Sequence, residues 1–177
     1  MIEIQSILFD EQTITKKVKE LADRISTDYK GKDLVLVCIL KGAVVFMADL
    51  MRRLSVPVAI DFIRAKSYGA STLPSRGIVI TKDIETDIKG KHVLIVDTII
   101  DTGETLHFVL EAMRGKGPAS LEAVVLLDKK PRRRVEVPLA YKGFDIPDAF
   151  VVGYGVDCAE QYRYLPYIAV VRVNPDA

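Results

Sequence analysis

Short continuous apolar runs alternating with helical patterns constrain this chain more than any other feature. Leu34 to Leu40 (LVLVCIL), Val93 to Val96 and Leu121 to Leu127 are too short for core helices and apolar at consecutive positions, as strands buried on both faces must be. Val56 to Ile63 and Phe150 to Val152 read as further strands. Between them, Ala43 to Leu54 is helical in pattern, and Glu104 to Arg114 sets Leu106, Val109, Leu110 and Met113 on one face. Strand and helix in alternation predict an α/β fold, a mostly parallel central sheet flanked by helices. Ahead of this frame, Ile14, Val18, Leu21, Ala22 and Ile25 recur at helical spacing after the capping candidate Asp10, and Gly31 closes the segment. A length of 177 residues fits one domain with a proper core. The N-terminal segment, about residues 1–10, and the tail, about 154–177 with its run Ile168 to Val173, are expected to form a small hood subdomain.

Charge narrows the choice of partner. Lys plus Arg number 25 against 24 for Asp plus Glu, and a net charge of +1 supplies no field that would draw the chain to nucleic acid or an anionic membrane. Any anion site must therefore be local. No apolar run approaches the ~20 residues of a membrane span, and Cys38 and Cys158 lack metal-ligand spacing. The start MIEIQSILFD has no basic region followed by an apolar stretch, so a cytoplasmic location is expected.

Val93 to Leu106, VLIVDTIIDTGETL, carries the chemistry. Ligands of open parallel sheets bind beyond the carboxyl ends of the strands, and four apolar residues here deliver Asp97 to that kind of strand end. Asp101-Thr102-Gly103-Glu104-Thr105 then turns into a helix, where free N–H groups and the positive end of the helix dipole suit a phosphate. Gly103 permits close backbone approach, and the hydroxyls of Thr102 and Thr105 add donors. Two readings fit: a phosphate cradle, or a plain helix start capped by Asp101 or Thr102 with Asp97 a solvated carboxylate. Glu104 would repel an anion if it pointed inward, and is expected to face solvent while favouring the helix start. The turn is neither a nucleotide-triphosphatase loop, lacking Gly-Lys-Ser or Gly-Lys-Thr, nor a dinucleotide fingerprint, lacking GxGxxG.

This segment resembles the ribose-phosphate signature of the type I phosphoribosyltransferases. Further blocks agree in order and approximate spacing with the branch that takes hypoxanthine and guanine: Leu40-Lys41-Gly42, Asp61 to Tyr68 (DFIRAKSY), Leu126 to Pro131 (LLDKKP) and Gly143 to Arg163. The resemblance implies Mg²⁺-dependent transfer of phosphoribosyl from 5-phosphoribosyl 1-pyrophosphate to N9 of a 6-oxopurine, in purine salvage. It assigns the 5-phosphate to Asp101, Thr102, Gly103, Glu104 and Thr105, the ribose and metal side to Asp97 and Thr98, and proton transfer at the purine N7 to Asp101. Pyrophosphate falls to Leu40, Lys41, Gly42 and Arg163, with Ser67 and Tyr68 on a loop expected to close over the site. The purine falls to Lys129 at the 6-oxo group, Phe150 stacked on the ring, and Val151 and Asp157 at its edge, with Asp157 a second metal neighbour beside Asp97. The bond before Lys41 is often cis in this family.

On residue type alone, each of these has a plainer reading. The run Lys129-Lys130-Pro131-Arg132-Arg133-Arg134 reads as a solvated loop, Phe150 as core, Ser67 and Tyr68 as ordinary loop residues, Arg163 as half of an ion pair, and His92 and His107 as surface or helix-face residues. One departure stands out. The family shows glutamate then aspartate where this chain has Asp97-Thr98, so Thr98 is expected to offer a hydrogen bond to a ribose hydroxyl but no charge, with weakened turnover or altered Mg²⁺ dependence as the consequence. A nucleotide-sensing regulator on the same fold is the alternative, with Arg132 to Arg134 the one local feature suited to nucleic acid. A receiver-like or flavodoxin-like module fits poorly, because Asp97-Thr98 makes a poor phosphoacceptor cluster. The resemblance also implies a homodimer or homotetramer.

Overall fold

The computed structural model describes residues 2–67 and 77–173. Its central sheet has six strands in the order β4-β3-β2-β5-β6-β7. These are β2 (Leu34–Ile39), β3 (Val58–Ser67), β4 (Ile78–Lys82), β5 (His92–Ile100), β6 (Ser120–Asp128) and β7 (Tyr141–Asp145). All pair in parallel except β4, which runs antiparallel to β3. A separate small antiparallel sheet, β1-β9-β8, joins β1 (Ile2–Phe9), β9 (Ile168–Val173) and β8 (Val151–Val152).

The central strands carry continuous apolar runs because helices cover both faces. Leu34, Leu36 and Cys38 of β2 pack with Leu94 and Val96 of β5 against α1 (Glu11–Asp28) and α2 (Val44–Met51). The alternate residues Val35, Val37, Val93 and Ile95 pack on the other face against Leu106, Val109, Leu110 and Met113 of α3 (Glu104–Arg114). Asp10 caps α1 through a 2.8 Å bond from the Thr13 N–H.

Several boundaries move. The second helix is shorter than Ala43 to Leu54, and the strand expected over Val56 to Ile63 runs on to Ser67. β5 continues through Asp97 to Ile100. The expected strand Phe150 to Val152 is reduced to β8, which pairs with β9 in the small sheet and so extends the hood upstream of residue 154.

This topology places the site. From β2 the chain passes through α2 on one face to β3, and from β5 through α3 on the other face to β6. Neighbouring strands β2 and β5 thus send their chains in opposite directions, and such a switch point opens a crevice at the carboxyl ends of the strands.

Candidate active site

Asp97 lines that crevice. β2 pairs with β5 only as far as Cys38 opposite Val96, whereas β6 stays in register from Asp97 opposite Val125 to Ile100 opposite Asp128. Asp97 therefore stands where β2 has stopped, partly covered, and not on an open strand end as its sequence position suggested. Burial pushes its carboxyl up to about 7, although the N–H groups of Thr98, at 2.8 Å, and Ile99 favour the charged form.

The turn after β5 encloses a pocket of about 160 Å³ lined by Asp97, Asp101, Thr102, Gly103, Thr105 and neighbouring apolar residues. Gly103, at φ 85°, is the residue before the helix, and no side chain caps α3 there. Asp101 thus does not serve as the cap. One of its carboxylate oxygens is enclosed without a hydrogen-bond partner, and the other lies 3.5 Å from Arg132. Thr102 makes two long contacts of 3.4 Å, to the N–H and to the carboxylate of Glu104, so Glu104 starts the helix as expected but folds back toward the turn.

Within the basic run Lys130, Pro131, Arg132 and Arg134 are exposed, as a solvated loop would have them, but Lys129 and Arg133 are not. Arg133 is nearly buried: it pairs with the buried Asp128 and donates from Nε to the Asp101 carbonyl at 3.1 Å. The N–H groups of Arg134 and Val135 both donate to the Thr102 carbonyl, at 2.9 and 3.0 Å. A Cβ on Gly103 would lie 2.2 Å from the Val135 carbonyl oxygen, so the close approach that requires glycine is to the chain's own strap. These contacts hold the turn open from behind. They also engage Arg133 internally, which removes much of what suited the run to nucleic acid.

A second, larger cleft of about 320 Å³ adjoins the first, and Asp97 and Ile99 line both. Leu40, Lys41 and Gly42 form one side, with a cis Leu40–Lys41 peptide. Asp157, Glu160 and Arg163 face them, and Arg64 and Lys66 complete the rim. Lys41 pairs with Glu160 at 2.8 Å, while Arg163 meets Asp157 at 2.9 Å and Glu160 at 3.3 Å. Glu160 was not singled out by sequence, because its partner Lys41 is 119 positions away. Thr98 corrects an expectation. It is fully buried, and its hydroxyl donates to the Gly42 carbonyl at 3.0 Å instead of facing a sugar. Ser67 ends β3, and Tyr68 lies outside the described residues.

Of the purine residues, Phe150 precedes β8 and is 47% exposed, an aromatic face open to solvent and not core. Lys129 is buried, 3.6 Å from Asp148, with its N–H donating to the Ile100 carbonyl at the end of β5. The Val151 side chain is buried in the core, which leaves its backbone for any ligand contact. Neither histidine joins the groove: His92 bonds Ser120 at 2.7 Å, and His107 is exposed on α3. Among the described residues, no three His, Cys, Asp or Glu side chains gather to hold a metal. Asp97 and Asp157, both lining the cleft, suit a Mg²⁺ ion that keeps most of its ligands as water and substrate oxygens.

The two pockets therefore form one groove with the Asp97 carboxylate on their shared wall. The phosphoribosyl transferase domain family matches residues 5–159, and the chain belongs to that family. Among its relatives are enzymes named for hypoxanthine or for hypoxanthine and guanine. Hypoxanthine phosphoribosyltransferase of Salmonella typhimurium is 47% identical over 167 residues, 93% of this chain and 94% of the relative. Hypoxanthine-guanine phosphoribosyltransferase of Dictyostelium discoideum is 46% identical over 172 residues, 95% and 96% of the two chains. A crystal structure of the hypoxanthine-guanine phosphoribosyltransferase of Bacillus anthracis superposes with a TM-score of 0.91 at 46% identity, covering 97% of this chain and all of that one. No helix among the described residues is long and apolar enough to cross a membrane.

Proposed function

We propose that the groove binds 5-phosphoribosyl 1-pyrophosphate across Asp97 and transfers its phosphoribosyl group to N9 of hypoxanthine or guanine, in purine salvage. The observation that carries this reading is the shared wall: Asp97 borders both the turn pocket and the basic cleft. The 5-phosphate sits on the Asp101–Thr105 turn, and the pyrophosphate on Leu40–Gly42 with Lys41 and Arg163. In transfer the bond from C1′ to the pyrophosphate oxygen breaks with its electron pair on oxygen, the bond from N9 to C1′ forms, and the base gives up a proton. Asp101, whose side chain is part-exposed at the turn, takes that proton at N7. Asp97, when ionised, faces the positive charge that grows on the ribose ring in the transition state. Bound Mg²⁺, held by Asp97 and Asp157, would neutralise the leaving pyrophosphate.

Phe150 offers a stacking face for the purine and Lys129 a donor for its 6-oxo group. The whole chain works as one domain, and the exposed apolar side chains of Val44 and Ile60 suit assembly as a homodimer or homotetramer. The test is product formation: incubation with phosphoribosyl pyrophosphate and Mg²⁺ should yield IMP from hypoxanthine and GMP from guanine, each with equimolar pyrophosphate, with xanthine as the comparison base. Absence of monophosphate with every base would refute the reading.

A further inference from the structure

The Gly42 carbonyl is a junction between two walls of the larger cleft, the end of β5 and the segment that carries Arg163. On one side the buried Thr98 hydroxyl donates to it at 3.0 Å. On another, the backbone of Gly155 lies so close that a Cβ there would come within 2.0 Å of the same oxygen. Gly155 is in turn tied to Arg163 twice, its N–H donating to the Arg163 carbonyl at 3.0 Å and its own carbonyl accepting from the guanidinium at 2.7 Å. A continuous path of contacts thus runs from the end of β5, beside Asp97, through Gly42 and Gly155 to Arg163.

We propose that Thr98 is a positioning residue for pyrophosphate: its hydroxyl latches the Leu40–Gly42 loop to β5 and holds it in the shape that receives the anion before any ligand arrives. This rests on the pyrophosphate site proposed above. The chemistry needs a neutral hydroxyl donor. An ionised aspartate, which the family pattern places here, has no proton to donate and would repel the carbonyl oxygen. Thr98 therefore does not stand in for a lost acid at the ribose; it acts on the other end of the substrate. Preorganisation of this kind appears as affinity, because a loop already in its bound shape loses less freedom on binding.

Thr98→Val keeps the shape and removes the donor, while Thr98→Ser keeps the donor. A single neutral hydrogen bond is worth about a fivefold change in an equilibrium constant. Thr98→Val should raise the KM for phosphoribosyl pyrophosphate and the Kd for magnesium pyrophosphate about fivefold, with the KM for hypoxanthine within about twofold of wild type, and Thr98→Ser should restore both. Unchanged pyrophosphate affinity in Thr98→Val overturns the latch. So does a matching rise in the hypoxanthine KM that Thr98→Ser fails to reverse, since that is what general loosening would produce. Should Thr98→Val not fold, Thr98→Cys, with a weak donor and similar size, is read against Thr98→Ser by the same criteria. Calorimetric titration of pyrophosphate separates the two claims: a wild type that makes no nucleotide refutes the activity, while the pyrophosphate comparison still decides the latch.

Discussion

Replacing Asp97 with asparagine should make the folded protein more stable at alkaline pH while stopping transfer. Burial raises the native carboxyl from 3.8 to about 7. Between those values the native state holds a proton that the unfolded chain has released, so stability falls as pH rises through the window and levels off above the native value. At ~1.4 kcal/mol per pH unit the whole span amounts to roughly 4 kcal/mol, an upper figure because the side chain is partly open to water. Asparagine does not titrate, and its side-chain oxygen can still accept the Thr98 N–H. Urea unfolding of both proteins at about pH 5 and about pH 8 should show the variant gaining ~2–3 kcal/mol on the wild type between the two conditions. A gap that stays constant, or that narrows toward high pH, would refute the claim that Asp97 is held in a desolvated wall. The same carboxyl must ionise to face a cationic sugar, so the transfer rate should fall as pH drops below about 7.

Other perturbations address the frame around Asp97. Gly103→Ala places a methyl against the Val135 carbonyl at a left-handed φ, and should destabilise the protein by ~2 kcal/mol or more, read as a lower thermal midpoint. Arg133→Met leaves the buried Asp128 with Lys142, 3.5 Å away, as its remaining partner and should cost ~2 kcal/mol in denaturant titration; a loss under about 0.5 kcal/mol would show that the segment from Arg133 to Val135 does not depend on it. Glu160→Gln weakens the clamp on Lys41 and Arg163, so pyrophosphate should bind several-fold more tightly by calorimetry, whereas weaker binding would contradict the idea that this carboxylate competes with the ligand. Asp101→Asn should leave phosphoribosyl pyrophosphate affinity within about twofold of wild type and lower kcat by ~100-fold or more, as expected for a lost proton acceptor.

The buried frame was legible in the sequence because its physics is local. Runs such as LVLVCIL are of the kind expected for strands covered on both faces, and the apolar stripe of Glu104 to Arg114 matches α3 residue for residue. Edge elements carry no such signal. Ile78–Lys82 and Tyr141–Asp145 are half-buried, mixed in polarity and paired on one side only, so neither stood out as a strand. The turn at Asp101–Thr105 could be read because five consecutive residues build it. What surrounds it could not, since Arg133 beside the turn, and Glu160 and Gly155 beside Leu40–Gly42, gain their roles only when residues distant in sequence fold back over the crevice. Thr98 shows the same limit from the other side: the sequence marks it as a departure, but only the fold reveals that its hydroxyl meets Gly42.

In the proposed function one groove grips a phosphosugar at two separate ends with Asp97 between them. Equilibrium binding of ribose 5-phosphate and of magnesium pyrophosphate to the wild type, Thr105→Val and Lys41→Ala tests it most directly. Ribose 5-phosphate affinity should drop in Thr105→Val alone, and pyrophosphate affinity in Lys41→Ala alone. Equal losses of both ligands in either variant, or no loss in any combination, would contradict the division of the groove.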